Sequence, residues 1–378
     1  MRIVLFANTD WFLWNFKLSL ARALRDAGHE VILLSPAGEF GERLRGAGFD
    51  WRAFPLSRSG IHPVEERLSM YRLLALYRKL KPDLVHHFTI KCVLYGSWAA
   101  RKAHVPRVVN SITGLGFALL ATTWKARMIR PVVVGFYRRA LVGTQVIFQN
   151  RDNRDTLAAL GALSRASVHV IPGDGVDTRV FAPPTEVSSG KTVLMMGRLL
   201  SSKGVAEYVA AARIVRQRHP DARLLLAGAP DPGNPESIDE HTLQQWRDEA
   251  SVEFLGHRSD VVALQQHADI AVLASTQGEG MPRALLEAAS CGKPMVATDV
   301  PGSRELVVDG VNGLLVPPGD PAALAAAILA LLDDPARAAR MGAQARADVL
   351  AELSDERIVA RTLQVYGMDE PSAVAGIA

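Results

Sequence analysis

The chain has 378 residues, more than one small hydrophobic core can use, so two domains are expected. Its 48% hydrophobic and 22% charged residues fit a water-soluble α/β protein, and Cys92 and Cys291 are too few thiols for a disulfide framework or a cysteine metal cluster, as in a reducing cytoplasm. The net charge of +4 hides a split: residues 1–185 hold 26 Lys+Arg against 13 Asp+Glu and the remainder is acidic, which either directs the first half toward an anionic surface or ligand or reflects arbitrary placement in an Arg-rich chain.

Residues 2–6 form a short apolar run that reads as a first strand and not as a signal peptide. A polar-aromatic loop follows, then a helical pattern through Leu18, Leu20, Ala21 and Leu24 that stops at Gly28, then a strand at 30–35. This is a βαβ unit, and the alternation continues with strands expected at 84–87, 107–110, 145–148 and 167–171 and a helix at 65–80 closed by Lys81-Pro82. Pro172 to Pro184, with Gly173 and Gly175 inside it, breaks the pattern. Beyond it, strands are expected at 192–196, 223–227, 270–274 and 294–297, and helices at 205–217, 261–267, 282–291, 321–332 and 335–350. The expected organisation is an N-terminal acceptor- and membrane-facing domain at 1–172, a hinge at 173–190, a C-terminal domain at 191–352, and a last helix and tail at 353–378 packing back on the first domain. No apolar run reaches the roughly 20 residues that span a bilayer. Two doubly wound domains facing across a cleft bind ligands at the carboxyl ends of their strands.

Two motifs carry chemistry. In Met196-Gly197-Arg198-Leu199-Leu200-Ser201-Ser202-Lys203-Gly204, a strand ends at Gly197 and two cations stand before a helix. That is either a diphosphate site or a solvated charge pair at a turn. In Glu279-Gly280-Met281-Pro282-Arg283-Ala284-Leu285-Leu286-Glu287, Pro282 fits a first helical turn. Glu279 at the helix mouth suits sugar hydroxyls, and the N–H groups of Gly280, Met281 and Arg283 suit sugar or phosphate. Glu287 has Ala288, Ala289 and Cys291 around it, so its charge needs a partner, which the two hydroxyls of a ribose would supply. The plainer alternative is a helix N-terminal Glu and a surface Glu.

Together, Arg198, Lys203-Gly204, Glu279 and Glu287 resemble the retaining glycosyltransferases of family 4, which have two Rossmann-like domains in the GT-B architecture. The resemblance extends over nearly the whole chain, through Asn150, Gly175-Val176-Asp177 with Phe181, Gly256, and Pro301-Gly302 to Glu305. Phe6-Ala7-Asn8 with Asn15-Phe16, and Thr113-Gly114-Leu115-Gly116-Phe117, are similar to the subgroup that builds capsule, O-antigen and protein-linked glycans on undecaprenyl diphosphate. The resemblance implies that Arg198 and Lys203 hold the donor diphosphate, Glu279 the transferred sugar and Glu287 the ribose, with Arg198, Lys203 and Glu279 as the catalytic set. Gly256 to Arg258 would line the nucleobase. It implies a UDP-sugar carrying a hexose or N-acetylhexosamine, a polyprenyl-diphosphate-linked glycan as acceptor, and no nucleic acid. No Asp-x-Asp motif occurs, so no metal or cofactor is expected and the cations would serve in its place. Alternatives are a nucleotide-sugar epimerase of the same architecture and a GDP-mannose-dependent mannosyltransferase.

The N-terminal half departs from the broad family. Trp11-Phe12-Leu13-Trp14 stands where many members have a Gly-Gly loop, and Thr113 where many have a His. Acceptor-side candidates are Asn15, His87, Thr89, Lys91, Thr113 and Asn150, with His86 and His87 readable equally as ordinary loop histidines. The segment 124–139 mixes basic and large apolar residues, as either a membrane-surface helix or an internal helix with a basic face. The lipid-linked acceptor implies a cytoplasmic protein held peripherally on the inner membrane.

Overall fold

A computed structural model describes residues 1–57, 63–115, 124–185 and 190–368, leaving the side chains of 63, 124–127 and 129 undescribed. The chain divides into two compact units, Met1–Gly175 with Asp355–Ala378, and Val176–Ser354.

The first unit runs β1 (Arg2–Phe6), α1 (Asp10–Phe16), α2 (Leu18–Asp26), β2 (Glu30–Ser35), α3 (Gly41–Gly46), β3 (Asp50–Ala53), α4 (Pro63–Leu80), β4 (Leu84–Phe88), α5 (Ile90–Lys102), β5 (Arg107–Ile112), α6 (Trp124–Leu141), β6 (Gln145–Phe148), α7 (Arg151–Ala159) and β7 (Ser167–Val170). Its seven strands pair in the order β3-β2-β1-β4-β5-β6-β7, every pair parallel. Strand order reverses between β1 and β4, and that is where an open parallel sheet opens a crevice. Leu73, Tyr77 and Leu80 of α4 and Cys92 and Ala99 of α5 pack with Val4, Ile32 and Val85 of the sheet.

The second unit runs β8 (Thr192–Met196), α8 (Val205–Arg218), β9 (Arg223–Ala227), α9 (Glu240–Asp248), β10 (Glu253–Gly256), α10 (Val261–His267), β11 (Ile270–Leu273), α11 (Arg283–Ser290), β12 (Met295–Thr298), β13 (Gly313–Val316), α12 (Pro321–Leu332) and α13 (Pro335–Asp348). Its six strands pair in parallel in the order β10-β9-β8-β11-β12-β13, with the reversal between β8 and β11. The Ala-rich α12 buries Leu324, Ile328 and Leu331 against Val205, Tyr208 and Val209 of α8. A last helix, α14 (Asp355–Val365), belongs to the first unit and packs on α2.

Two expectations change. The aromatic stretch after β1 is helix α1 and not a loop: Thr9 Oγ1 caps it by accepting from the Phe12 N–H at 3.1 Å, and Phe12 and Trp14 pack on Phe88 and Phe40 at ring distances of 5.8 and 6.3 Å. The described part of the stretch expected as a hinge at 173–190 divides between the two units. The chain leaves the first unit after Gly175, and the segment beyond belongs to the second. There Val176 and Phe181 are buried, and Arg346 donates to the carbonyls of Phe181 and Thr178 at 3.1 and 2.9 Å. Residues 186–189 of that stretch and the tail 369–378 lie outside the described residues.

Candidate active site

The donor candidates all fall in the second unit, around the reversal between β8 and β11. After β8, the chain turns through Arg198 to a short 3-10 turn at Ser201–Lys203, then Gly204 opens α8 at φ +71. A Cβ on Gly204 would stand 1.8 Å from the Ala274 carbonyl oxygen, so only glycine lets this turn press against the end of β11. The Thr276 N–H donates to the Ser202 carbonyl at 2.9 Å and ties the β11 loop to the same turn.

That contact brings Lys203 to Glu279. Lys203 Nζ donates to Glu279 Oε2 at 2.7 Å, and Ser275 Oγ donates to the other carboxylate oxygen at 2.8 Å. The Glu279 N–H donates to the Pro301 carbonyl at 3.0 Å. Gly302 follows at φ +93, and a Cβ there would lie 1.9 Å from the Gly280 carbonyl oxygen, so Gly302 seats the Glu279-Gly280 loop. Met281 and Pro282 lead into α11, whose N-terminus no side chain caps.

Glu287 lies one turn inside α11. Arg283 Nε donates to its Oε1 at 2.7 Å, which supplies the partner that a carboxylate on an apolar face requires. Burial raises the Glu287 carboxyl above the ordinary carboxylate range, and the charge and hydrogen bond of Arg283 oppose that rise.

Arg198 faces the other way. Its Nη1 donates to Asp231 Oδ2 at 2.6 Å, and both line a cavity of about 310 Å³ at the carboxyl ends of β8, β9 and β10. His257 and Arg258 complete the lining, directly after Gly256. Arg258 is held by Asp260 at 2.7 Å. The structure thus groups the donor candidates as Arg198 with Arg258, Lys203 with Glu279, and Arg283 with Glu287. Asp231, Ser275 and Ser202, whose hydroxyl donates to Glu236 at 2.5 Å, escaped the sequence reading. The available signal was a turn-rich Pro-Asp-Pro-Gly-Asn-Pro loop at a strand end.

In the first unit, Thr89 and Lys91 follow β4, Thr113 follows β5 and Asn150 follows β6, so these four share one sheet edge, and Asn15 lies on α1 beyond β1. Thr89 sits at φ +72 and ψ 157, a conformation close to glycine-only for a β-branched residue. Lys91 Nζ donates to Glu66 Oε1 at 2.5 Å and to the Ser57 carbonyl at 3.0 Å. Asn150 is buried and caps α7 by accepting from the Asn153 N–H at 2.8 Å. The Asn15 amide donates to the Trp11 carbonyl at 2.9 Å.

His87 does not belong with them. It is fully buried, with Nε2 3.1 Å from the Tyr77 hydroxyl and Nδ1 2.9 Å from Asn110 Oδ1, so neither nitrogen is left for an acceptor. Burial pulls it down to about 4, partly opposed by the Asn110 bond. His86 is likewise internal, between Tyr366 and Ser111 at 2.5 and 2.7 Å. Of the stretch 113–117, residues 116 and 117 lie outside the described residues.

Two parallel doubly wound units, with cations and carboxylates gathered at the strand reversal of the second, define a glycosyltransferase of GT-B architecture. Residues 190–334 match the family model "Glycosyl transferases group 1", and residues 2–150 match "Glycosyl transferase 4-like". The chain is a glycosyltransferase whose second unit carries the group 1 domain and whose first carries the 4-like domain. Among similar proteins is the N,N'-diacetylbacillosaminyl-diphospho-undecaprenol alpha-1,3-N-acetylgalactosaminyltransferase of Campylobacter jejuni, 29% identical over 97% of this chain and 98% of that one. Another is the UDP-Gal:alpha-D-GlcNAc-diphosphoundecaprenol alpha-1,3-galactosyltransferase of Escherichia coli, 27% identical over 75% of each chain. The fold matches the Anabaena protein HepE, solved in complex with UDP and glucose, at a TM-score of 0.80, with 22% identity over 97% of this chain and 99% of that one.

Proposed function

We propose that this glycosyltransferase moves a hexose or N-acetylhexosamine from a UDP-sugar to an undecaprenyl-diphosphate-linked saccharide, with retention of the anomeric configuration. The observation that carries the reading is the Lys203–Glu279 pair beside the β8–β11 reversal, with Arg198 at the end of β8 and Glu287 on the helix after β11. The two similar transferases both act, by their names, on diphospho-undecaprenol saccharides, and one takes UDP-Gal.

In this reading the donor diphosphate replaces Asp231 on Arg198 and Glu279 on Lys203. Two cations and the uncapped N-terminus of α11 then face the departing phosphate and stabilise its growing charge without a metal. Glu279, released from Lys203, accepts from hydroxyls of the transferred sugar. Glu287 accepts from the ribose hydroxyls. The acceptor hydroxyl forms the new glycosidic bond as the sugar–phosphate bond breaks, and its proton passes to the departing phosphate. No side-chain nucleophile enters.

The acceptor keeps the work at a bilayer surface. Met128, Val132 and Phe136 are exposed at successive four-residue steps along α6, a solvent-facing apolar stripe in the basic half of the chain. Among the described residues no helix is long and apolar enough to cross a membrane. We therefore assign the protein a peripheral place on the cytoplasmic face.

The test is transfer itself. The purified chain is incubated with UDP- and GDP-sugars and a short-chain prenyl-diphosphate saccharide, and the product is read by mass and by its anomeric coupling constant. A glycosylated acceptor of retained configuration from a UDP-sugar is expected. An inverted product, or transfer only from a GDP-sugar, contradicts the reading.

A further inference from the structure

A cavity of about 580 Å³ lies in the first unit, with no residue of the donor motif in its lining. It opens at the carboxyl ends of β2 and β3 and is closed by the first turns of α4. Its wall is mostly apolar, built from Pro36, Phe54, Pro55, Leu56 and Leu68. Phe54 and Leu56 are packed in the core, so the aromatic ring of the lining is not open as a platform for a sugar. Leu68 is 46% exposed and stands at the mouth, in line on α4 with the exposed Val64 and Tyr71.

Three charged side chains line the cavity, Glu65, Glu66 and Arg72. Glu66 is buried on one wall but carries Lys91, the second residue of α5, which also bonds the Ser57 carbonyl of the cavity lining. One end of the apolar space therefore abuts the first turn of α5, where a lysine and the positive end of a 13-residue helix meet. Arg72 lines another wall, and no carboxylate among the described residues holds it. In the sheet, β2 stands next to β1 and then β4, so the cavity lies on the same carboxyl edge as Thr89 and Lys91.

An apolar slot with cations at its margins is complementary to a ligand with a hydrocarbon tail and a diphosphate head. We propose that this cavity seats the first isoprene units of the acceptor, with the diphosphate at the α5 end and the saccharide continuing toward β1 and β4. The inference rests on the proposed polyprenyl-diphosphate acceptor. Chain length then contributes to acceptor binding inside the protein, independently of any bilayer.

The test uses one saccharide diphosphate carrying ethyl, geranyl or farnesyl, below its micelle concentration and without vesicles. For the parent enzyme, acceptor KM falls by about tenfold or more from ethyl to farnesyl, as burial of each added methylene group predicts. Leu68→Glu, at a half-exposed site that does not threaten folding, abolishes that gain while donor KM stays unchanged, and Leu68→Met retains it. A parent KM that ignores chain length overturns the proposal. So does a Leu68→Glu enzyme that keeps the gain, or a gain that appears only when vesicles are added, which would assign Leu68 to the bilayer. If the parent transfers to none of the three acceptors, the proposed function fails before the cavity is tested.

Discussion

Each donor-site cation already holds a carboxylate: Arg198 holds Asp231 at 2.6 Å and Lys203 holds Glu279 at 2.7 Å. The pairs are partly open to solvent, so each is worth about 1 kcal/mol or less, and the charged oxygens of a diphosphate displace them at little cost. Glu287 is a different case, because burial dominates its titration. A carboxyl raised in the folded chain favours folding below its ordinary range, and that contribution is lost as pH rises through the folded value. Glu287→Gln removes the loss. At about pH 8 its melting temperature is expected to match or exceed the parent's, while donor binding weakens by about 2 kcal/mol through the lost charged hydrogen bonds. A lower melting temperature with unchanged donor affinity, read by thermal shift and calorimetry, contradicts this account. His87 titrates in the opposite sense. Its pKa falls from 6.5 to about 4 on folding, so its contribution is present above about 6.5 and is lost as pH falls toward 4. His87→Gln should flatten that acid limb by up to about 3 kcal/mol in urea melts at stepped pH, and superimposable limbs would contradict it. The four residues proposed for the donor stand out in the sequence because each sits in a short local motif. Asp231 does not, because its partnership with Arg198 spans 33 positions and depends on which strand ends the sheet makes adjacent.

Among elements, apolar runs bounded by Gly and Pro marked the central strands well: β1, β2, β6, β8 and β9 fall where periodicity placed them. The missed strands are β3, β10 and β13, each four residues long and each at the edge of a sheet, too short to show a clear period. Helix α1 was hidden by its aromatic content, since Trp and Phe rank low as helix formers and packing on Phe88 and Phe40 decides. On α6, the stripe of Met128, Val132 and Phe136 keeps helical spacing despite Pro131. Phe136→Asp on this exposed surface should leave the fold intact and lower co-sedimentation with anionic vesicles several-fold, as loss of one interfacial aromatic side chain and gain of a repelled charge require. Unchanged sedimentation would remove α6 from the membrane contact.

At the scale of the whole molecule, the sequence announced two doubly wound units and a basic first half followed by an acidic second, and the structure resolves the chain into those two sheets. The second unit carries the residues proposed for the donor around its strand reversal. The first presents Thr89, Lys91 and Thr113 along one sheet edge beside an apolar cavity. This division of labour predicts a reaction that needs both substrates. The direct measurement is the rate of UDP release from a UDP-sugar with and without a prenyl-diphosphate saccharide. The account predicts release that rises many-fold with the acceptor and matches glycosylated product mole for mole. Conversion of the UDP-sugar to an isomer without acceptor, or no release from any UDP-sugar, would contradict it.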